Sequence, residues 1–456
     1  MNSGSWICYH AIHTYYMHRN LIGSFTKIAL KFVLGLAFFA AQNVYAQQST
    51  SHSPYSQFGL GQMREDLLPQ TRAMGGISAG VRFLNGLPTL NIANPASYSG
   101  LNRTILEAGM YGNFTQLSKN QSTDQTADFA FGHLAIAVPL AKYGGLAFGL
   151  IPFSDVGYSS ASSQSIDTLN YQTSISGQGG INKAFVGYGV SPIKGLSVGA
   201  NVGFLFGNLY DITNVRFLNQ VDAYQTERRE TRNIRGATLD YGVQYSKALG
   251  RKYNLTVGYS GSLNNQISAK RDMMVTISDN SFDEDFIAPP SDTISSRALG
   301  NTSLSLPLKH NIGFTLSKGY NWMVGADFKY TDWSKFEMPQ NQARLGKSYG
   351  VAVGGQIKPD PTSVRYWNQV DYRLGFRYNK TPLVYRNQNI NDMAVTVGFG
   401  FPLPETNFGR TFSQINISAE LGQQGTLNNN LVRERYININ FGFTINDSWF
   451  IRRSLD

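Results

Sequence analysis

Residues 71–98 read TRAMGGISAGVRFLNGLPTLNIANPASY. The glycines at 75, 76, 80 and 86 permit positive φ and close backbone approach, while Pro88 and Pro95 fix φ and remove hydrogen-bond donors. Such a segment is too irregular for a helix or a strand and makes no core of its own. Its separated apolar residues, Met74, Val81, Phe83, Leu84, Leu87, Leu90 and Ile92, must bury inside something else. The chain downstream reads as long strands, so the container is a barrel and the stretch is its plug.

From Arg103 onward a period-two alternation recurs. Leu196, Val198, Ala200, Val202 and Phe204 fall on one face, and Ser197, Gly199, Asn201 and Gly203 on the other. Leu239, Tyr241, Val243 and Tyr245 likewise oppose Asp240, Gly242 and Gln244, and Tyr372, Leu374, Phe376 and Tyr378 oppose Asp371, Arg373, Gly375 and Arg377. Near the end, Ile437, Ile439, Phe441 and Phe443 oppose Asn438, Asn440 and Gly442. In a soluble barrel the apolar face would point inward, yet these side chains alone could not fill an interior of so many strands. Inverted, the pattern fits a membrane barrel, apolar toward lipid and polar toward the lumen.

Strands are expected near residues 105–117, 128–139, 145–158, 180–190, 195–209, 234–248, 253–277, 304–317, 321–336, 347–357, 368–379, 390–402, 412–424 and 430–446. That is an all-β, antiparallel transmembrane barrel of about 14 strands, an even number as bacterial barrels have. The connections alternate in length. Short links stand at Lys142, Ser191, Gly250 and Lys318, and long ones at residues 159–179, 210–233 and 278–302, which are expected to be solvated outer loops. Soluble β-sandwiches have no reason to alternate in this way.

Composition agrees: aromatic residues make up 13% of the 456, charged residues only 15%, and there are 46 glycines. The formal net charge is +10, with the cations spread along the chain, which disfavours nucleic acid and suits phosphate-bearing lipid headgroups. Lys27 and Lys31 precede the apolar run FVLGLAFFAA at 32–41, and Val44, Tyr45 and Ala46 supply a cleavage site. Residues 1–46 are therefore expected to be a signal peptide, with Met17 an alternative start, residues 47–101 the plug, and residues 102–456 the barrel. The one cysteine, Cys8, falls in the removed part, so disulfides and cysteine zinc sites are excluded from the mature chain.

No pattern points to an enzyme or a cofactor. His52, His133 and His310 are widely separated and lack HExxH-like spacing, and GxGxxG, Walker and G-x-S-x-G patterns are absent. His133 and Ser154 fall on neighbouring expected strands, the one arrangement that would keep a lipid hydrolase open. Asp283, Glu284 and Asp285 are consecutive, without the one-in-two spacing of a calcium loop, so no metal site is expected. The inward charges Asp240, Asp327, Lys329, Asp371, Arg373, Arg377 and Glu420 could line a path, but a network that pins the plug is the better account. Asp332-Trp333, and Trp449 with Phe450, are expected at the headgroup level of the membrane.

RAMGG at 72–76, followed some twenty residues later by NPASY at 94–98, resembles the N-terminal hatch of the FadL-type outer-membrane transporters of hydrophobic compounds (OMPP1/FadL/TodX-like channels). FSDVGY at 153–158, Leu306-Pro307 and WMVGADFKYTDWSKF at 322–336 resemble further signatures of that family, in the same order. The resemblance implies a 14-stranded barrel in the bacterial outer membrane, with Gly75, Gly76, Asn94, Pro95 and Ala96 in the hatch. It also implies passive uptake of hydrophobic small molecules such as long-chain fatty acids, which pass along apolar hatch residues and leave sideways through a gap in the wall. Phe83, Leu84, Leu87, Leu90 and Ile92 are then candidates to line that path, outer-membrane lipids and a hydrophobic ligand being the partners. Some relatives with this hatch are instead barrel subunits of larger secretion or assembly complexes, with other outer-membrane proteins as partners.

Overall fold

The computed structural model describes residues 53–84, 86–220, 223–279, 290–336, 344–404 and 411–447. The expected signal peptide with Cys8 and Met17, the acids at 283–285, and Trp449 with Phe450 lie outside the described residues.

Three two-residue strands come first, β1 (Gln62–Met63), β2 (Phe83–Leu84) and β3 (Leu87–Pro88). The wall begins with β4 (Thr104–Lys119), β5 (Ser122–Pro139), β6 (Gly145–Ile166), β7 (Leu169–Ile193), β8 (Leu196–Phe217), β9 (Tyr224–Leu249) and β10 (Tyr253–Ser262). Then come β11 (Gln266–Asp279), β12 (Asp292–Ser305), β13 (Lys309–Lys318), β14 (Trp322–Asp332), β15 (Arg344–Leu345) and β16 (Lys347–Ile357). It ends with β17 (Asp371–Tyr385), β18 (Gln388–Pro402), β19 (Phe412–Gly425) and β20 (Arg433–Asp447). β20 pairs antiparallel with β4, from Arg433 opposite Ser118 to Asp447 opposite Thr104, which closes a barrel of 14 strands when β10 with β11, β12 with β13 and β15 with β16 are each counted as one interrupted strand. Closure leaves the sheet no free lateral edge, as a membrane requires.

The faces follow the alternation. Val202, Phe204, Leu374, Phe376, Ile437 and Phe441 are exposed on the outer face, while Asn201, Gln244, Asp371, Arg373 and Asn440 are buried on the inner one. The short turns at 140–144, 194–195, 250–252 and 319–321 share one end of the barrel.

Three expectations change. The long links at 159–179 and 210–233 are not loops, because β6 and β7 stay paired out to Ile166 and Leu169, and β8 and β9 out to Val215 and Thr226. The β6–β7 hairpin escapes a periodicity search because neither face is buried, residues 159–166 being all exposed, and in the β8–β9 hairpin the buried positions Glu230 and Arg232 are charged. The strands expected over 253–277 and 304–317 are each broken, at 263–265 and at 306–308. Below the break β10 pairs with β13, above it β11 pairs with β12, and the unbroken β9 pairs with both β10 and β11. Pro307 has no N–H to give a ladder, and Leu306 N–H instead reaches the Asn265 carbonyl at 2.8 Å. Trp333 is not at the headgroup level: β14 ends at Asp332, and the indole turns inward onto Phe336, ring centroids 5.4 Å apart.

Candidate functional site

Residues 53–84 and 86–101 lie against the inner face of the wall, and many of their backbone groups are answered by wall side chains. Asp327 accepts from the Ser78 and Ala79 N–H groups at 2.7 and 2.9 Å, and from Asn311 at 3.2 Å. Thr396 accepts from Gly75 N–H at 2.8 Å and donates to the Ala73 carbonyl at 3.0 Å. Asn201 donates to Ile92, Gln244 to Ala79 and Thr315 to Gly80, each at a backbone carbonyl. A buried coil needs every such group answered, since an orphaned polar atom costs about 1–3 kcal/mol.

Close approach requires small wall residues where the segment touches the strands. A Cβ on Gly375 would meet the Met74–Gly75 backbone, one on Gly354 the Met74 carbonyl, and one on Gly258 the Ala79 carbonyl. Gly75 and Gly76 both adopt positive φ, 72° and 84°, which L side chains rarely adopt. Asn94 caps the short turn Pro95–Gly100 by accepting from Ala96 N–H, and it donates to the Ala79 carbonyl at 2.7 Å. The motif residues therefore fall in two places: Gly75 lies against the backbone of β16 and β17, and Asn94 and Pro95 against glycines 189, 199 and 242 of β7, β8 and β9.

The inward charges divide into two groups. Lys329 donates to Glu65 and to the Gly76 carbonyl, Glu420 faces Arg72, and Asp240 shares Lys183 with Asp66, at 2.6 and 2.7 Å. These, with Asp327, tie the segment to the wall. Partial burial pushes the Glu65 carboxyl up, but the Lys329 ammonium beside it pulls it further down, to below the ordinary glutamate range. Asp371 and Arg373 pair with each other at 3.1 Å and bond Gln414, Gln356 and Asn416, all on wall strands; Arg377 bridges Glu420 and Asp392.

One seam of the wall is half open. β5 pairs with β4 along nearly its whole length, but with β6 only from Pro139 opposite Gly145 to Leu134 opposite Leu150. Beyond that point Pro152 lacks an N–H, Phe153 is bulged out of the β6–β7 register, and the two strands part. The edge of β6 is covered from within: β1 pairs with it, Gln62 opposite Asp155 and Met63 opposite Ser154, and Arg64 N–H reaches the Phe153 carbonyl at 2.9 Å. The Arg64 guanidinium engages Asp155 and lies 3.6 Å over the ring of Tyr111, whose hydroxyl also bonds Asp155. A water-sized pocket of about 20 Å³ beside the seam is lined by Arg64, Tyr111, Gly132, Pro152 and the outward-facing Met110.

The inner face beside this seam is apolar, which the strand alternation did not announce. Phe153, Val156, Ile181, Leu205, Leu209, Ile234, Leu304, Leu306 and Trp333 pack around Leu60 of the segment. Around residues 204–206 of β8 both faces are apolar, Phe204 and Phe206 outside and Leu205 inside, so only inner residues such as Leu205 and Leu209, following the polar Asn201, could have signalled it. A cavity of about 350 Å³ lies between residues 53–67 and β10, β13, β14, β16 and β17, with Leu60 and Trp333 of this cluster in its lining.

The five candidate path residues do not line one passage. Ile92 borders the large cavity; Leu84 and Leu87 border a 30 Å³ pocket at the short-turn end; Leu90 is fully buried beside Tyr98; Phe83 stacks under the Arg82 guanidinium. His133 and Ser154 lie where β5 and β6 are no longer paired, and the Ser154 hydroxyl makes no hydrogen bond, so nothing activates it as a nucleophile.

A protein-family model described as BamG matches residues 28–456. A search of curated protein sequences finds no match. Among solved structures, a Pseudomonas aeruginosa FadL homologue is similar with a TM-score of 0.54 at 13% identity, over 86% of this chain and 100% of that one. The Pseudomonas putida toluene transporter TodX gives 0.53 at 14%, over 85% and 99%, and the Ralstonia pickettii toluene transporter TbuX 0.52 at 12%, over 84% and 98%. At these identities the likeness is one of fold. The FadL-type resemblance therefore holds for the architecture, while the family is BamG.

Proposed function

The chain belongs to the BamG family, and we propose that it sits in the bacterial outer membrane as a plugged barrel through which small hydrophobic molecules enter passively and leave sideways between β5 and β6. In this reading residues 47–101 are the plug and residues 1–46 a signal peptide. The observation that carries it is the half-open seam, with an apolar inner face on one side and lipid-facing Met110, Phe129 and Phe131 on the other. A greasy molecule avoids water along such a route, and lateral exit delivers it to the bilayer rather than to an aqueous lumen. Of the candidate path residues, Ile92 alone borders the large cavity; the seam residues Phe153, Val156 and Leu60 are the stronger candidates for the route. Toluene and long-chain fatty acids are the two ligand classes to try first.

The test compares uptake of radiolabelled toluene and palmitate by cells with and without the protein, and by cells carrying a cysteine pair at Gly132 and Pro152, which both line the small pocket at the seam. Loss of uptake in the null strain and on oxidation of the pair, regained on reduction, is the expected result. Equal uptake in all strains refutes the reading.

A second reading, a non-transporting subunit of a larger outer-membrane assembly, is favoured by one specific observation. The 350 Å³ cavity is lined by no described residue of β5 or β6, the two strands that form the seam. Native gel size after mild detergent extraction separates the two: a lone barrel fits the channel, and stable migration in a large complex fits the subunit.

A further inference from the structure

On the outer face, β8, β9 and β11 carry a row of lipid-facing residues that changes character abruptly. Val202, Phe204 and Phe206 are exposed, the two phenylalanine rings stacked with centroids 6.5 Å apart. Phe206 stands opposite Arg235, which is exposed and has no ion-pair or hydrogen-bond partner among the described residues. Arg235 in turn stands opposite Ser268, and two residues along the same face of β11 is Lys270, opposite Asn233 and Asn301. Cross-strand diagonals of this kind bring the two cations within about 7–8 Å at their backbones. Asn233 donates to Asn208 at 2.6 Å, and Lys270 has one exposed carboxylate, Asp272, at 3.6 Å.

An arginine with a free guanidinium, a neighbouring lysine and three amide side chains, set directly beyond an aromatic belt, match a phosphate that is anchored in lipid. We propose that Arg235 and Lys270, with Asn233 and Asn301, form a binding site for the phosphorylated headgroup of an outer-leaflet glycolipid, its acyl chains running down over Phe206 and Phe204. Guanidinium and ammonium supply charge-assisted hydrogen bonds to the phosphate oxygens, and the rings cover the acyl chains beneath. The site rests on the outer-membrane reading above, and cell fractionation tests that placement separately.

Outer-leaflet lipid is measured by native mass spectrometry of the full chain, extracted in mild detergent and titrated with bisphosphorylated lipid A, with dephosphorylated lipid A, and with inorganic phosphate as competitor. The wild type should retain the bisphosphorylated lipid, bind the dephosphorylated form at least about tenfold more weakly, and be little displaced by millimolar phosphate. R235S/K270S should lose about tenfold in retention while still migrating as a compact barrel on cold gels, and R235K/K270R should keep most of it. Arg435, another exposed outward arginine on β20, is the control, since R435S should change nothing. Undiminished binding by R235S/K270S, or an equal loss in R435S, overturns the site. Complete displacement by inorganic phosphate would make it a free-phosphate site and overturn the lipid assignment.

Discussion

The ring of contacts around residues 73–96 and the seam between β5 and β6 are built on opposite principles. In the first, backbone meets backbone: glycines in the wall admit the segment, and Asp327, Thr396, Asn201 and Gln244 answer its polar groups one by one. In the second, a strand edge is left without its wall partner and is covered by a two-residue strand, one salt bridge and an apolar cluster. Many short hydrogen bonds at fixed geometry make a contact rigid, whereas a few peripheral ones over a smooth apolar face allow it to part at lower cost. In the proposed function, the seam is therefore the place where the barrel would open.

Three substitutions would break or sharpen that contrast. The largest effect is expected at Gly375, where valine would collide with the Met74–Gly75 backbone; it should cost about 4–5 kcal/mol or more and abolish the heat-modifiable band of the folded barrel. A normally folded G375V would mean that the segment is not held as tightly as the wall glycines imply. Next, Asp327→Ala leaves the buried Ser78 and Ala79 N–H groups without their acceptor, with an expected loss of about 3 kcal/mol read from the urea midpoint in lipid. The smallest is Arg64→Gln at the seam, about 1–2 kcal/mol, and it should be local: faster amide exchange at Gln62–Met63 and along residues 153–157, with the global midpoint nearly unchanged. Equal exchange in wild type and R64Q would remove the salt bridge from the account of the seam.

The Glu65 carboxyl adds a pH dependence to the rigid contact. Its value is lowered in the folded protein by Lys329, so its contribution is present at neutral pH and is lost as pH falls through the acidic range.

Strand existence, the inward and outward faces and the parity of the turns were all legible in the sequence, because lipid on one side and a polar interior on the other impose a period of two on every residue of the wall. The inward charges were legible for the same reason: Asp240, Asp371, Arg373 and Arg377 follow from the alternation alone. What each charge pairs with was not, since Asp327 with Ser78 and Glu420 with Arg72 are hundreds of residues apart in the chain. The tall hairpins were missed because their faces are either exposed, as at 159–166, or buried with charged residues such as Glu230 and Arg232, so neither carries an apolar signal.

By itself the sequence determined a closed antiparallel wall, its lipid-facing surface and a glycine-rich segment that had to be buried by something larger. Only the tertiary structure decided which wall glycines receive that segment, that β5 and β6 part beyond Leu134 and Leu150, and that the five candidate path residues go to different places. The reason is physical: alternation is a local consequence of solvent on two faces, whereas register, bulges and packing are set by residues far apart in the chain that meet only when the barrel closes.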